Sequence, residues 1–376
     1  MKSLLVTHSR RWNGETEYAA GLIRAEAAMG MDVTVVAPGE STFAQEISPW
    51  ARVLVPPGRN PSRSLLGFIR NVSWLSGMID TGEFDVVHSS RSTAHLIVAL
   101  AVRKRVPFLH LRGGAKRPYG HYGNRILYRW LTDGVIVSSG RVEGWVRRKL
   151  KVRPERIHRI LSPVNVEKFK PSPPDSGLFS ELGVPADAPV ILNIARLAPV
   201  KGHPILLEAM AAVNQEFPRA RLVLVGNPWE GQPEQLKERA RELGIGDLVI
   251  FTGRRADVTR FLSCATVCVS SSIGSEENSR AVGEYMASGR PVVAGAVGVI
   301  PELVVDGKTG FLVPHGDAAA LAGGLLKILR DPDQARVMGE EGRKRAVELF
   351  SEEAFGESLS RVFRQVFARK KKQSDS

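Results

Sequence analysis

Two cysteines, Cys264 and Cys268, are all that the 376 residues contain. One pair that close in sequence can neither build a disulfide framework nor supply the four ligands of a structural zinc, and so few thiols fit a reducing compartment. Long apolar runs are missing too. The longest, residues 96–102, falls far short of the roughly 18–20 residues that cross a bilayer. The opening MKSLLVTHSR turns polar again after Leu4, Leu5 and Val6, too soon for a secretory signal. Together these absences predict a cytoplasmic protein with no membrane span. Acids are scarce in the first half. Residues 1–168 hold 26 Lys and Arg against 13 Asp and Glu, whereas the remainder holds 26 of each, so the whole net charge of +13 belongs to the first half. A field of that sign acts on association rather than on fold, and it turns the first half toward an anionic partner.

What is present is ordinary for a globular protein: 43% hydrophobic and 24% charged residues. At ~150 residues per domain the length predicts two to three domains. Short β-branched runs alternate with amphipathic stretches, first SLLVTH, DVTVVA, FDVVH, VPFLHL and DGVIVS, later PVILNIA, ARLVLVG, DLVIFTG, ATVCVSS and RPVVAG. Near-continuous apolar runs suit strands buried on both faces, and alternation with helices implies parallel crossovers. The fold class is therefore α/β, with two Rossmann-like doubly wound domains. Three prolines and a glycine in FKPSPPDSG interrupt the rhythm and place a linker at 169–177. The expected division is 1–168, the linker, 178–350, and a helix in 351–376 returning to the first domain ahead of a disordered basic tail. Ligands of such a pair gather at strand C-termini, in the cleft between the domains.

Three constellations carry chemistry. In ARLAPVKGHP, Arg196 and Lys201 fall between a strand and a helix opening near Pro204, where two cations neutralise a diphosphate; solvated loop charges are the plainer reading. In GSEENSRAVGEYMASG, Glu276 and Glu284 flank a helix start at Asn278 or Ser279, with Gly289 closing the helix. Amides near Arg280 and Ala281 suit a phosphate, and the two carboxylates can accept from sugar hydroxyls. A surface helix acid is the plainer reading of Glu284. In HSRRWNGETEYAAG, Gly14 follows the first strand and either lets amides approach a ligand or simply turns the chain.

In this order and spacing, W-N-G-E-T-E, VNVEKF, R-L-A-P-V-K-G, LVLVG, VIFTG, the glutamate pair, EYMASGRPVV and VGVIPELVVDGKTGFLVPHGD resemble the retaining glycosyltransferases of the GT-B fold, the large group that includes bacterial lipopolysaccharide and mannosyl-lipid enzymes. The resemblance covers most of the chain. It implies a nucleotide-sugar donor, a glycan or glycolipid acceptor handled by the N-terminal domain, and a role in lipopolysaccharide or polysaccharide biosynthesis. It implies that Arg196 and Lys201 hold the diphosphate, Glu284 the ribose and Glu276 the transferred sugar, while Gly14 approaches the phosphates from the opposite domain. The backbone of Arg255 would meet the base, and amides of Arg280 and Ala281 would complete the phosphate site. Departures stand at Asn13–Gly14 and Gly298–Val299, where the family often has paired glycines, and at Gly113, where many members carry a histidine. His110 and Arg112 are the nearby substitutes, although strand alternation equally makes His110 a packed core residue. No metal or other cofactor is expected, because the lone Asp331-Pro332-Asp333 reads as a helix start. A nucleotide-sugar epimerase or phosphorylase on the same fold is the alternative, and a basic nucleic-acid-binding protein the remote one.

Two basic segments, RNPSRSLLGFIRNVSWLSGMI with Arg59, Arg63 and Arg70, and WVRRKLKVRPER with Arg147, Arg148, Lys149 and Lys151, read either as interfacial segments on anionic lipid at the cytoplasmic leaflet or as helices packed on their own sheet. No zinc-finger or RNA-recognition signature accompanies the charge, so nucleic acid is not the expected partner.

Overall fold

A computed structural model describes residues 1–10, 12–57, 64–114, 117–274 and 276–374. The chain divides into unit 1, Met1–Pro163 with Glu352–Ser376, and unit 2, Val164–Ser351. Unit 1 holds seven strands: β1 (Lys2–Thr7), β2 (Asp32–Val36), β3 (Arg52–Leu54), β4 (Val86–Ser90), β5 (Phe108–Arg112), β6 (Gly134–Val137) and β7 (Ile157–Arg159). They pair in the order β3-β2-β1-β4-β5-β6-β7, with every ladder parallel. Unit 2 holds β8 (Val190–Ile194), β9 (Arg221–Val225), β10 (Val249–Gly253), β11 (Val267–Ser270), β12 (Val292–Gly295) and β13 (Gly310–Val313), ordered β10-β9-β8-β11-β12-β13 and again parallel. Both are doubly wound Rossmann-like sheets, the two-domain architecture of the GT-B fold.

Strand alternation divides the apolar residues of unit 1 between two faces. Leu5, Val33, Val35, Leu109 and Ile136 pack under the helix Gly14–Ala28 and the C-terminal helix Glu352–Ser374, while Leu4, Val6, Val87, Phe108 and Val135 pack under the helices Leu65–Gly82, Ser92–Val102 and Gly140–Leu150. The C-terminal helix contributes Phe355, Leu359, Val362, Phe363 and Val366, a helical stripe at spacings of three and four. In unit 2 the same logic docks the helices His203–Asn214, Gln232–Glu242 and Ala318–Arg330 through Leu206, Met210, Leu236, Leu325 and Ile328.

Three features differ from expectation. The units divide after Pro163, ahead of the proline-rich segment, because Val164 donates its N–H to the Phe350 carbonyl at 2.8 Å and Val166 and Phe169 are buried within unit 2. The basic tail is not disordered through its length: the C-terminal helix continues to Ser374, with Lys370 reaching Asp133 at 3.3 Å and Arg369 Nη2 3.2 Å from His158 Nε2. Strands β3, β7 and β13 were not legible, being three or four residues each, too short to show a period.

The basic segments resolve differently. In the helix Gly140–Leu150, Val146 and Leu150 are buried in the core and Trp145 packs against it, so the helix is packed on its own sheet with Arg147, Arg148 and Lys149, and Lys151 just past its end, exposed. In the helix Leu65–Gly82, by contrast, Leu65, Leu66 and Ile69 are exposed; Arg59 and Arg63 lie outside the described residues.

Candidate functional site

Strand order in unit 2 reverses between β8 and β11, and an open parallel sheet receives ligands where the two neighbouring strands send their chains in opposite directions. The loops leaving those strands carry the charges. After β8, Arg196 is exposed and its guanidinium lies 4.8 Å from the ring centroid of Trp229, a cation–π contact worth ~0.5–1 kcal/mol at an exposed position. A single 3₁₀ turn, Pro199–Lys201, then places Lys201, and Gly202 turns the chain at φ 66° into the helix His203–Asn214. A Cβ on Gly202 would stand 2.1 Å from the Ser271 carbonyl oxygen, so the turn and the close approach both require glycine. The loops after β8 and β11 are laced together: Ser271 Oγ donates to the Lys201 carbonyl at 2.9 Å and the Ile273 N–H to the Val200 carbonyl at 3.0 Å.

This lacing delivers Glu276 to Lys201. The glutamate is 6% exposed, and its Oε1 accepts from Lys201 Nζ and, at 2.6 Å, from Ser272 Oγ. The Glu276 carbonyl accepts the Val299 N–H at 2.7 Å, and Gly298, at φ 63°, makes room because a Cβ there would meet that carbonyl oxygen at 2.1 Å. Burial first, and the Lys201 ammonium second, push His203 down to about 4, so at neutral pH its ring is uncharged beside the pair.

Glu284, on the helix Arg280–Ala287, is 5% exposed and its Oε1 accepts from Arg280 Nε at 2.6 Å; it is no surface acid. Tyr285 Oη takes the Ile194 N–H at 2.6 Å and so docks this helix at the end of β8. Ser279 occupies the N-cap position, as does Gly289 the left-handed position past the helix end. The Ser279 side chain makes no capping bond, however, because its backbone is left-handed at φ 34°, ψ 54°, a conformation costing ~1–3 kcal/mol outside glycine. Ala281 follows Arg280 in the first turn.

Of the remaining residues Arg255 lies in unit 2, and Gly14, His110, Arg112 and Gly113 lie in unit 1. Arg255, just after β10, bonds both oxygens of Asp257 at 2.8 and 2.7 Å and Glu181 at 2.6 Å; those bonds hold Asp257 well below the ordinary carboxylate range. Its side chain belongs to an ion-pair network. In unit 1 the order reverses between β1 and β4. Gly14 opens the helix Gly14–Ala28 beyond β1, behind the cap of Asn13, whose side chain accepts the Glu15 and Thr16 N–H groups. Arg112 ends β5, 8% exposed, with Nη1 donating to Tyr128 Oη at 3.1 Å, and Gly113 follows it. His110 is 1% exposed, stacked on His95 at 3.7 Å with Nδ1 2.8 Å from Ser89 Oγ, and burial is the first cause that holds it well below the usual imidazole value. Its surroundings are those of the packed-core alternative.

Sequence reasoning missed Ser272, Trp229 and Tyr285. Ser272 carried a faint signal in three consecutive serines closing an apolar run; the other two meet the site only through tertiary proximity.

Comparison with known proteins gives the family and the fold. The family described as Glycosyl transferases group 1 matches residues 177–345, and Glycosyltransferase Family 4 matches residues 12–168. The protein named "Putative glycosyltransferase EpsD" of Bacillus subtilis (strain 168) is 31% identical over 360 residues, 89% of each chain. The chain belongs to the glycosyltransferases. A D-inositol 3-phosphate glycosyltransferase of Frankia alni is 30% identical over 355 residues, covering 85% of this glycosyltransferase and 86% of the relative. The crystal structure of Anabaena Alr3699/HepE in complex with UDP superposes with a TM-score of 0.85 at 23% identity, covering 97% of this chain and 100% of that one, which shows the shared fold.

Two further observations bear on this enzyme. Among the described residues no three His, Cys, Asp or Glu side chains gather as a metal cage, and Asp331 caps the helix Pro332–Phe350 by accepting the Gln334 N–H at 2.9 Å. Among the described residues, too, no helix is long and apolar enough to cross a membrane.

Proposed function

We propose that this glycosyltransferase is a retaining, metal-independent enzyme that moves a sugar from a nucleotide-diphosphate donor to a glycan or glycolipid of the cell envelope, in lipopolysaccharide or polysaccharide biosynthesis. The observation that carries the reading is the Lys201–Glu276 pair at the β8/β11 reversal of unit 2, with Arg196 on the same loop as Lys201. Lys201 and Arg196 supply positive charge where a departing diphosphate accumulates negative charge, and such fixed charge stabilises a transition state more than its ground state. Glu276 accepts from the transferred sugar, Glu284 from the ribose, the amides of Arg280 and Ala281 receive phosphate oxygen, and the backbone near Arg255 faces the base. Gly14, Arg112 and Gly113 serve donor or acceptor from unit 1. Departure of the diphosphate and attack on the same face retain the anomeric configuration without a protein nucleophile.

UDP in the HepE structure makes UDP-sugars the first donors to try, beside GDP- and ADP-sugars. A true donor at 100 times its dissociation constant adds about 2.7 kcal/mol to folded-state stability, so one class raises the melting temperature and the others leave it unmoved. Stabilisation by none of the three rejects the reading. Transfer of the sugar with inverted configuration rejects retention alone, and product formed from donor without acceptor favours the epimerase alternative.

The excess charge of the first half and the exposed Leu65, Leu66 and Ile69 support an anionic membrane as the surface on which the acceptor is met, at the cytoplasmic face. Cosedimentation with phosphatidylglycerol vesicles at low salt is expected, weakening as salt rises, and weaker again in a Leu65→Glu/Leu66→Glu variant. Equal behaviour with neutral vesicles removes this partner.

A further inference from the structure

We propose that Ser272 is a positioning residue that keeps Glu276 oriented once the donor's diphosphate engages Lys201; the inference rests on the donor reading above. Both hydrogen bonds to the carboxylate converge on one oxygen: Oε1 accepts from Lys201 Nζ and from Ser272 Oγ, and Oε2 has no partner among the described residues. The side chains of Lys201 and Glu276 are 19% and 8% exposed, so the pair shields a carboxylate that water reaches poorly. A carboxylate left alone in such a place is strongly disfavoured.

The two donors to Oε1 differ in what a diphosphate does to them. Lys201 carries a point charge on a four-carbon stem with three rotatable donors, and a phosphate oxygen competes for it directly. Ser272 is 3% exposed, just past β11, on a one-carbon side chain; it is uncharged and has no reach to follow the ligand. Its 2.6 Å bond to Oε1 has the length of a hydroxyl donating to an ionised carboxylate. When the ammonium turns to the diphosphate, the hydroxyl is the contact that still fixes Oε1, and with it the direction in which Oε2 presents itself to a sugar hydroxyl. Ser272 therefore touches neither nucleotide nor sugar, yet governs how the sugar is held.

The experiment is calorimetric titration of the full chain and of Ser272→Ala and Ser272→Thr, with UDP-glucose, GDP-mannose and ADP-glucose and with UDP, GDP and ADP. For whichever nucleotide binds the unaltered protein, Ser272→Ala should keep its affinity for the free diphosphate within about twofold and lose roughly 10- to 100-fold for the nucleotide-sugar, the range of a hydrogen bond to a charged group. Ser272→Thr, which keeps the hydroxyl, should recover most of that loss. A purely structural serine would weaken both ligands together, so equal losses overturn the proposal, and so does an unchanged ratio in Ser272→Ala. A second variant, Ser272→Cys, guards against misfolding of the first and should behave as Ala does. If the unaltered protein binds none of the six ligands, the donor reading itself fails and takes the proposal with it.

Discussion

Replacing Lys201 with alanine lowers kcat for the identified donor by about 100- to 1,000-fold, the loss that follows removal of one fixed donor to a developing charge. The expectation comes from where the ammonium sits rather than from its charge alone. Fifty-two Lys and Arg are present in the chain, and most are solvated, whereas Lys201 is held at the end of a 3₁₀ turn by the backbone lacing of two loops and pointed at a buried carboxylate. Folding should survive, because Glu276 keeps the Ser272 hydroxyl and the lacing uses the main chain of residue 201. Circular dichroism and the melting transition report on that survival. Lys201→Arg should recover only part of the loss, since a planar guanidinium cannot take the place of a compact ammonium beside Oε1. Turnover of Lys201→Ala within a few-fold of the unaltered enzyme would remove the lysine from the chemistry.

The second large effect is on stability. Glu26→Ala should destabilise unit 1 by about 1–3 kcal/mol, as leaving the buried Ser3 hydroxyl without its acceptor does, and depress its melting temperature by roughly 2–12 °C at ~2–4 °C per kcal/mol. Glu26 projects from the helix Gly14–Ala28 onto the sheet, fully buried; Oε2 accepts from Ser3 Oγ at 2.8 Å and Oε1 lies 2.7 Å from His88 Nε2, also fully buried. Ser3 and His88 stand on the neighbouring strands β1 and β4, so one carboxylate hydrogen-bonds the first and lies against the second at the unit's reversal. Truncation strands the imidazole among apolar neighbours such as Phe363, 5.8 Å away between ring centres. Glu26→Gln preserves shape and polar contact and should cost less than half as much. Calorimetric melting of the three proteins, with donor added to fix the unit 2 transition, decides the matter; equal stability of all three would show that the contact carries no net stabilisation.

Much of the fold was legible in the sequence because buried parallel strands announce themselves. Runs such as LVLV have no polar face to offer water, and glycine at 289 closes its helix in the left-handed conformation. What escaped were the short edge strands and the length of the last helix. ARKKKQ reads as a solvated tail, yet Arg369 and Lys370 find partners in unit 1, and contacts with distant residues leave no mark on local composition. The same limit separates the two basic segments. Their composition is alike, but only the core decides that Val146 and Leu150 point inward while Leu65 and Leu66 do not.

At the site the sequence by itself determined which residue types were available: two cations on one loop, two acids flanking a helix start, glycines at the turns, and the order of motifs that marks a glycosyltransferase. Tertiary structure alone decided their pairing. Lys201 and Glu276 are 75 residues apart and meet because β8 and β11 are adjacent in the sheet though not in the chain; Arg255, equally basic, is instead bound up with Asp257 and Glu181. Charge follows from composition, but proximity follows from strand order, and strand order is set by how apolar faces on the whole chain are buried together.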